Sequence, residues 1–405
     1  MLKACGDDTH LNQAGKCVES LGKGGISMKV TRVEVVRARE PIPLPEPWQP
    51  AWRGPVSEPI TSFDFAFYRV YTDEGIVGIG PYTGAPPDLV KGVNPFHVGE
   101  FWDSHMSGKR SGTSGKGAAG LEIALWDLIG KAAQQPIYKL LGACRDRILV
   151  YAATSRLLTK EQHIQQVMDF AKVGFKAVKL RLHRPNPLED LEVVEAVKEA
   201  VGDQMLILVD ANQNHAVEGY SPWSRSTALR MARKLDELEV YFLEEPLPRV
   251  DVEGLAEVAS SVDMFIAGGE HSPTFYDFRE HLLLGAYDIL QPDVILTGNI
   301  GIIGLRKVAM IAEYFGRLVI PHVCSGGAFP LFLAATLQAM ATVENCPMVE
   351  YPHDPPILTP ETMQRMVKEP LWIDREGLVA VPAKPGLGVE LDEESLEGKV
   401  VVTAE

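Results

Sequence analysis

From position 149 onward, short apolar runs alternate with longer stretches whose apolar positions recur at helical spacing. The runs are Leu149-Val150-Tyr151-Ala152, Ala177-Val178-Lys179-Leu180, Leu206-Ile207-Leu208-Val209, Tyr241-Phe242-Leu243, Phe265-Ile266-Ala267, Ile289-Leu290-Gln291, Leu318-Val319-Ile320 and Pro347-Met348-Val349. Eight strands at intervals of roughly 25 to 35 residues fit an α/β fold built as a (β/α)8-type barrel, a modified TIM barrel. A doubly wound sheet is the competing fold, but it calls for a glycine-rich phosphate turn that this chain lacks.

The first third reads differently. Val30-Thr31-Arg32-Val33-Glu34-Val35-Val36 has a strand pattern. Phe65-Ala66-Phe67-Tyr68-Arg69-Val70-Tyr71 and Ile76-Val77-Gly78-Ile79 flank the turn signal Asp73-Glu74-Gly75 and predict a β-hairpin. Apolar spacing over 118–141 predicts a helical segment ending near Gly142. Proline-rich 41–59 and glycine/serine-rich 107–120 read as loops. An α+β capping domain is therefore expected over 28–148, with the catalytic barrel over 149–377. Residues 1–27 show no periodicity. They are expected to be a disordered tail, or else Met28 is the natural start.

The strand ends carry the chemistry. Lys179 and Arg181 end the second strand, followed on successive strands by Asp210, Glu244, Glu270, Asp293, His322 and Glu350. Barrel enzymes build their active sites at this rim. One acid after a strand is ordinarily a helix cap, but seven consecutive strands ending in charged or titratable groups are not explained by caps. Asp210, Glu244 and Glu270 would repel one another without a cation. An all-oxygen set favours Mg2+ over zinc. Lys179 and Arg181, two apart on a strand, share a face and make an anion site. Asp293 beside His322 can fix the imidazole tautomer and make a base. Glu350, among so many acids, is expected to have a raised pKa and to donate a hydrogen bond when protonated.

Composition narrows the partners. The 405 residues carry a net charge of -15, which disfavours nucleic acid and anionic membrane surfaces. Five cysteines with no CxxC pair fit a reducing cytoplasm rather than a disulfide framework or zinc site. The longest apolar run, near 331–343, is broken by Gln338 and too short to span a bilayer.

Taken in order, Ala124-Leu125-Trp126-Asp127-Leu128, Lys179-Leu180-Arg181, Asp210-Ala211-Asn212, Glu244-Glu245-Pro246, Gly269-Glu270, Gln291-Pro292-Asp293, Pro321-His322 and Pro385-Gly386-Leu387-Gly388-Val389-Glu390 resemble the mandelate racemase subgroup of the enolase superfamily. The resemblance spans about 28–395. It implies a cap completed by 378–405, Mg2+ on Asp210, Glu244 and Glu270, a His322–Asp293 base, and Glu350 as hydrogen-bond donor to the substrate carboxylate. It implies substrate-choosing loops near 41–54 and 81–87, with Trp52 and Tyr82 as substrate contacts, joined by Asn212 and His271 beside the ligands. It also implies a symmetric homo-oligomer. One departure stands out: relatives commonly carry Lys-x-Lys on the second strand, and here the second position is Arg181, a poor base. The segment between Asp210 and Glu244 also carries an extra Tyr220-Ser221-Pro222-Trp223, expected near the mouth. The expectation is a dehydratase of an acid sugar, aldonate or aldarate. The alternatives are a racemase/epimerase or cycloisomerase on the same scaffold, and a non-catalytic binding protein that kept the fold.

Overall fold

The computed structural model describes residues 9–11, 17–19, 28–108, 117–215, 221–296 and 300–404. Eight parallel strands form the barrel wall: Arg147–Ala153, Ala177–Arg181, Leu206–Asp210, Phe242–Glu244, Phe265–Gly268, Ile289–Leu290, Leu318–Val319 and Val349–Pro352. The first seven pair in chain order, and the eighth pairs with the first. The seventh and eighth are joined by single backbone bonds instead of a ladder. Glu350 N–H donates to the Pro321 carbonyl at 3.3 Å, and Val319 N–H to that of Asn345 at 3.0 Å. A helix follows each of the first seven strands, and only a single turn, Pro360–Met363, follows the eighth.

Strand alternation explains how the barrel carries charge above an apolar floor. Outward residues such as Val178, Leu180, Val209 and Leu243 pack in the large core under the helices. Inward residues Ala177, Leu208, Phe242, Ile320 and Met348 fill the barrel with a separate apolar cluster. Two residues further along each of those five strands stand Lys179, Asp210, Glu244, His322 and Glu350 in place of apolar side chains. The fifth strand breaks this parity, since Glu270 lies three residues past inward Ala267. Gly269 takes up the difference at φ 119°, a conformation that glycine alone adopts easily. A Cβ on Gly268 would meet the Tyr287 ring at 2.6 Å.

The N-terminal third supplies the cap. Val30–Ala38, Ala66–Thr72 and Val77–Pro81 form an antiparallel sheet, and the C-terminal strand Val400–Ala404 adds to its edge. Leu378–Ala380, by contrast, pairs antiparallel with the first barrel strand. The 41–59 segment is not a plain loop. Ile42–Trp48 pairs with Ile60–Phe63 around a register shift, and its three prolines are tolerated because a two-stranded ribbon leaves N–H positions facing outward. The single helix expected over 118–141 is two, Ala119–Ala132 and Ile137–Leu141. Pro136 between them lacks an amide donor and restrains the residue before it. Of the expected tail, Thr9–Leu11 and Cys17–Glu19 pair antiparallel. The rest of it, 109–116 of the glycine/serine segment, and Tyr220 lie outside the described residues.

Gln338, which interrupts the longest apolar run, ties barrel to cap. Its side-chain oxygen accepts from Tyr138 N–H at 2.7 Å, and its nitrogen donates to the carbonyls of Pro382 and Leu387 at 2.8 and 3.0 Å. Replacement by alanine orphans buried backbone groups that each cost roughly 1–3 kcal/mol. Gln338→Ala is therefore expected to lose about 3 kcal/mol in urea unfolding, whereas a loss near zero would show the junction to be hydrated.

His163, on helix Lys160–Val173, is buried, and its pKa falls to about 4, first through burial and then through the Arg184 charge. The folded chain thus binds fewer protons than the unfolded chain between about pH 4 and 6.5, so stability is present above that window and lost as pH falls through it. The advantage of the native chain over His163→Gln should shrink by up to about 3 kcal/mol from pH 7 to pH 4. A pH-independent difference in denaturation midpoints would contradict this. No helix among the described residues is long and apolar enough to cross a membrane.

Candidate active site

The rim acids are not helix caps. The helices after strands two to five are capped by the side chains of Asn186, Ser224, Asp251 and Thr274. Asp210, Glu244, Glu270 and Glu350 are instead buried with Lys179 and Arg181. Register sets the cluster: Asp210 is the direct strand partner of both Arg181 and Glu244. Lys179 Nζ lies 2.7 Å from Glu244 Oε2, 3.2 Å from Glu350 Oε2 and 3.9 Å from Asp210 Oδ2. Arg181 forms a close ion pair with Asp210 and comes within 3.8 Å of Glu350. Its Nε donates to the Thr154 carbonyl at 2.8 Å, and its guanidinium lies 4.9 Å from the Trp52 ring centroid. Burial disfavours the charge on both cations, but Glu244 and Glu350 beside Lys179, and Asp210 beside Arg181, outweigh it, so both stay protonated.

Asn212 N–H and side-chain amide hold Asp210 at 2.7 and 3.0 Å, and Gln291 Nε2 donates to Glu244 at 2.9 Å. Just past two strand ends, Asn212 and Glu245 sit in the left-handed region at φ 47° and 46°. For glutamate that is an uncommon and costly conformation. Glu244 is pushed up to about 8, first by burial and then by Asp210. When Asp210, Glu244, Glu270 and Glu350 are all ionised they outnumber the two fixed cations, Lys179 and Arg181, by two charges, part of what raises Glu244. A divalent ion supplies that difference, and the oxygen-only set of Asp210, Glu244 and Glu270 fits a hard one.

His322 follows the seventh strand, three strands round the wall from the second, which carries Lys179 and Arg181. Its Nδ1 is 2.7 Å from Asp293 Oδ2 and its Nε2 3.1 Å from Glu270 Oε2. The two residues form an isolated parallel bridge, so backbone pairing sets the dyad. Asp293 also accepts from the amides of Ile295, Leu296 and Cys324 at 2.7, 2.8 and 3.1 Å. Burial opposes the imidazolium, but the charges of Glu270, Glu350 and Asp293 raise His322 to about 10.

Glu350 differs from expectation. Burial raises its carboxyl, but Lys179, His322 and Arg181 prevail and hold it below the usual range. It is an acceptor rather than a protonated donor, taking a hydrogen bond from Tyr151 at 3.0 Å.

A cavity of about 270 Å3 opens above the cluster, lined by Trp52, Arg181, Asn212, Glu270, His271, His322 and Glu350. Tyr82 is not on its wall. It packs against Tyr68 and under Arg37 in the cap, with centroid distances of 5.1 and 4.2 Å, because its loop folds back on the sheet. Trp48 and His215 also line the cavity, His215 unforeseen from the sequence. Trp48, whose indole donates to Ser155 Oγ at 2.8 Å, lies in the proline-rich segment. His215 lies five residues past Asp210 in a loop where periodicity says nothing. Trp223 of the extra segment docks on Gln213, its backbone N–H donating to the Gln213 side-chain oxygen at 2.7 Å. A larger groove of about 680 Å3, lined by Arg39, Phe65 and Arg365 among others, contains none of the rim groups.

Comparison with known proteins gives the family. Residues 162–395 match the enolase C-terminal domain-like family, and 33–142 match the mandelate racemase / muconate lactonizing enzyme N-terminal domain. The chain belongs to the mandelate racemase / muconate lactonizing enzyme family of enolase-like proteins. It is 34% identical to arabinonate dehydratase of Saccharolobus solfataricus, over 69% of this chain and 70% of that protein. It is 31% identical to 3,6-anhydro-alpha-L-galactonate cycloisomerase of Streptomyces coelicolor, over 89% and 97%. Among solved structures, L-talarate/galactarate dehydratase of Salmonella typhimurium, liganded with Mg and L-lyxarohydroxamate, superposes with a TM-score of 0.76 at 26% identity, covering 94% of this chain and 95% of that one.

Proposed function

We propose that the protein is a Mg2+-dependent acid-sugar dehydratase, a lyase that removes the proton α to a carboxylate and expels the β-hydroxyl to give a 2-keto-3-deoxy acid. The observation that carries this reading is the asymmetry of the site. A His322–Asp293 dyad faces two cations that their carboxylate partners keep protonated, so a base stands on one face only. A racemase needs a base on each face.

Asp210, Glu244 and Glu270 would hold the Mg2+, which supplies Lewis-acid polarisation of the substrate carboxylate. With Glu270 engaged by the ion, the acid that does most to keep His322 protonated would be neutralised, which frees His322 Nε2 to take the α-proton, while Asp293 holds the ring in position through Nδ1. The Lys179 ammonium, fixed by Glu244 and Glu350, stabilises negative charge where it develops on the substrate. Protonated His322 then returns a proton to the leaving hydroxyl. Trp48 and Trp52, which line the cavity, would shield the reacting atoms from water. Related dehydratases act on arabinonate and on talarate or galactarate, which supports an aldonate or aldarate substrate. The test is a panel of mono- and diacid sugars with Mg2+, read by 2-keto acid formation. A product whose appearance needs both metal and His322 supports the assignment; turnover that yields only epimerised substrate refutes it.

A further inference from the structure

Beside the oxygen-only cluster, three donors from two loops converge on one point. His215 Nε2 and His271 Nε2 are 3.1 Å apart, and Glu270 Oε1 lies 3.5 and 2.9 Å from them. Donors around a tetrahedral ion with bonds of about 2.0–2.1 Å are spaced roughly 3.3 Å apart. These three atoms therefore form one face of such a tetrahedron. The Glu270 carboxylate is shared: Oε2 turns towards His322 at 3.1 Å, and Oε1 towards the imidazole pair. All three residues line the cavity, so a fourth position is open to water or to a ligand.

We propose that His215, His271 and Glu270 Oε1 form a second cation site, selective for a borderline transition-metal ion of the zinc class. Two imidazoles and one carboxylate are a poor set for a hard, oxygen-seeking ion and a good one for Zn2+, Co2+ or Ni2+. Three protein ligands with one open position is the arrangement of an accessible metal centre rather than of a closed structural one. The site goes beyond the dehydratase reading and does not depend on it, because its occupancy is read without turnover.

The experiment is a Co2+ titration of the full chain in excess Mg2+, followed by visible absorption. One equivalent is expected to bind with the intense d–d bands of low-coordinate Co2+ and to be displaced by Zn2+. His215→Gln and His271→Gln should each weaken that binding by more than about 100-fold, beyond the loss of an outer partner. Both should keep a Mg2+-dependent thermal shift, which also reports that they fold. Weak octahedral bands alone in the native chain would overturn the proposal, whatever the variants do. So would equal Co2+ binding by the native chain and both variants, which would leave the imidazoles as a hydrogen-bonded pair.

Discussion

His322→Asn is expected to lower turnover and solvent exchange of the substrate α-proton by about 10^3-fold, the range a positioned general base contributes. The substitution removes the proton acceptor and little else. Asp293 keeps its bonds from the Ile295, Leu296 and Cys324 amides, so the rim should stay folded. An asparagine amide can still donate towards Asp293 but takes up no proton. Substrate binding should change much less than kcat, because in the proposed reading the ground-state contacts would come from other cavity-lining residues, Arg181, Asn212, Trp48 and Trp52. Deuterium exchange by NMR checks this, and exchange retained near the native rate would remove His322 from the role of base.

The second large effect concerns the acids. Glu244→Gln keeps shape and the room for Gln291, but removes one of four negative charges facing Lys179 and Arg181. The expected result is loss of the stabilisation that Mg2+ gives the native chain, together with a fall in activity of at least about 10^3-fold. A ligand that binds only the folded state raises the melting temperature by mass action, so the Mg2+-induced shift reads occupancy without needing substrate. Chelation of the native enzyme should mimic the variant and be reversible. An unchanged shift in Glu244→Gln would place the ion elsewhere.

The barrel was legible because strand alternation is a local property: an apolar residue facing inward predicts what stands two positions later. Lys179, Asp210, Glu244, His322 and Glu350 all follow that rule, and Glu270 needs only the glycine pair before it. The charge state of Glu350 was not legible, because it depends on a lysine from a strand 171 residues away reaching 3.2 Å from its carboxylate. His215 was hidden for a similar reason. Its meeting with His271 is a tertiary contact between loops that carry no period. Tyr82 was misplaced because assigning a loop to the mouth does not say which way its side chains turn. In the 41–59 segment, prolines were read as loop punctuation, although an edge ribbon can hold them.

The most direct test of the central claim is turnover in D2O with Mg2+ and a reactive acid sugar, followed by NMR. Abstraction at C2 and loss of the C3 hydroxyl predict a 2-keto-3-deoxy acid bearing one deuterium at C3 with a single configuration. Deuterium at C2 of intact substrate, accompanied by inversion and with no loss of water, would contradict the one-base dehydratase and identify an epimerase.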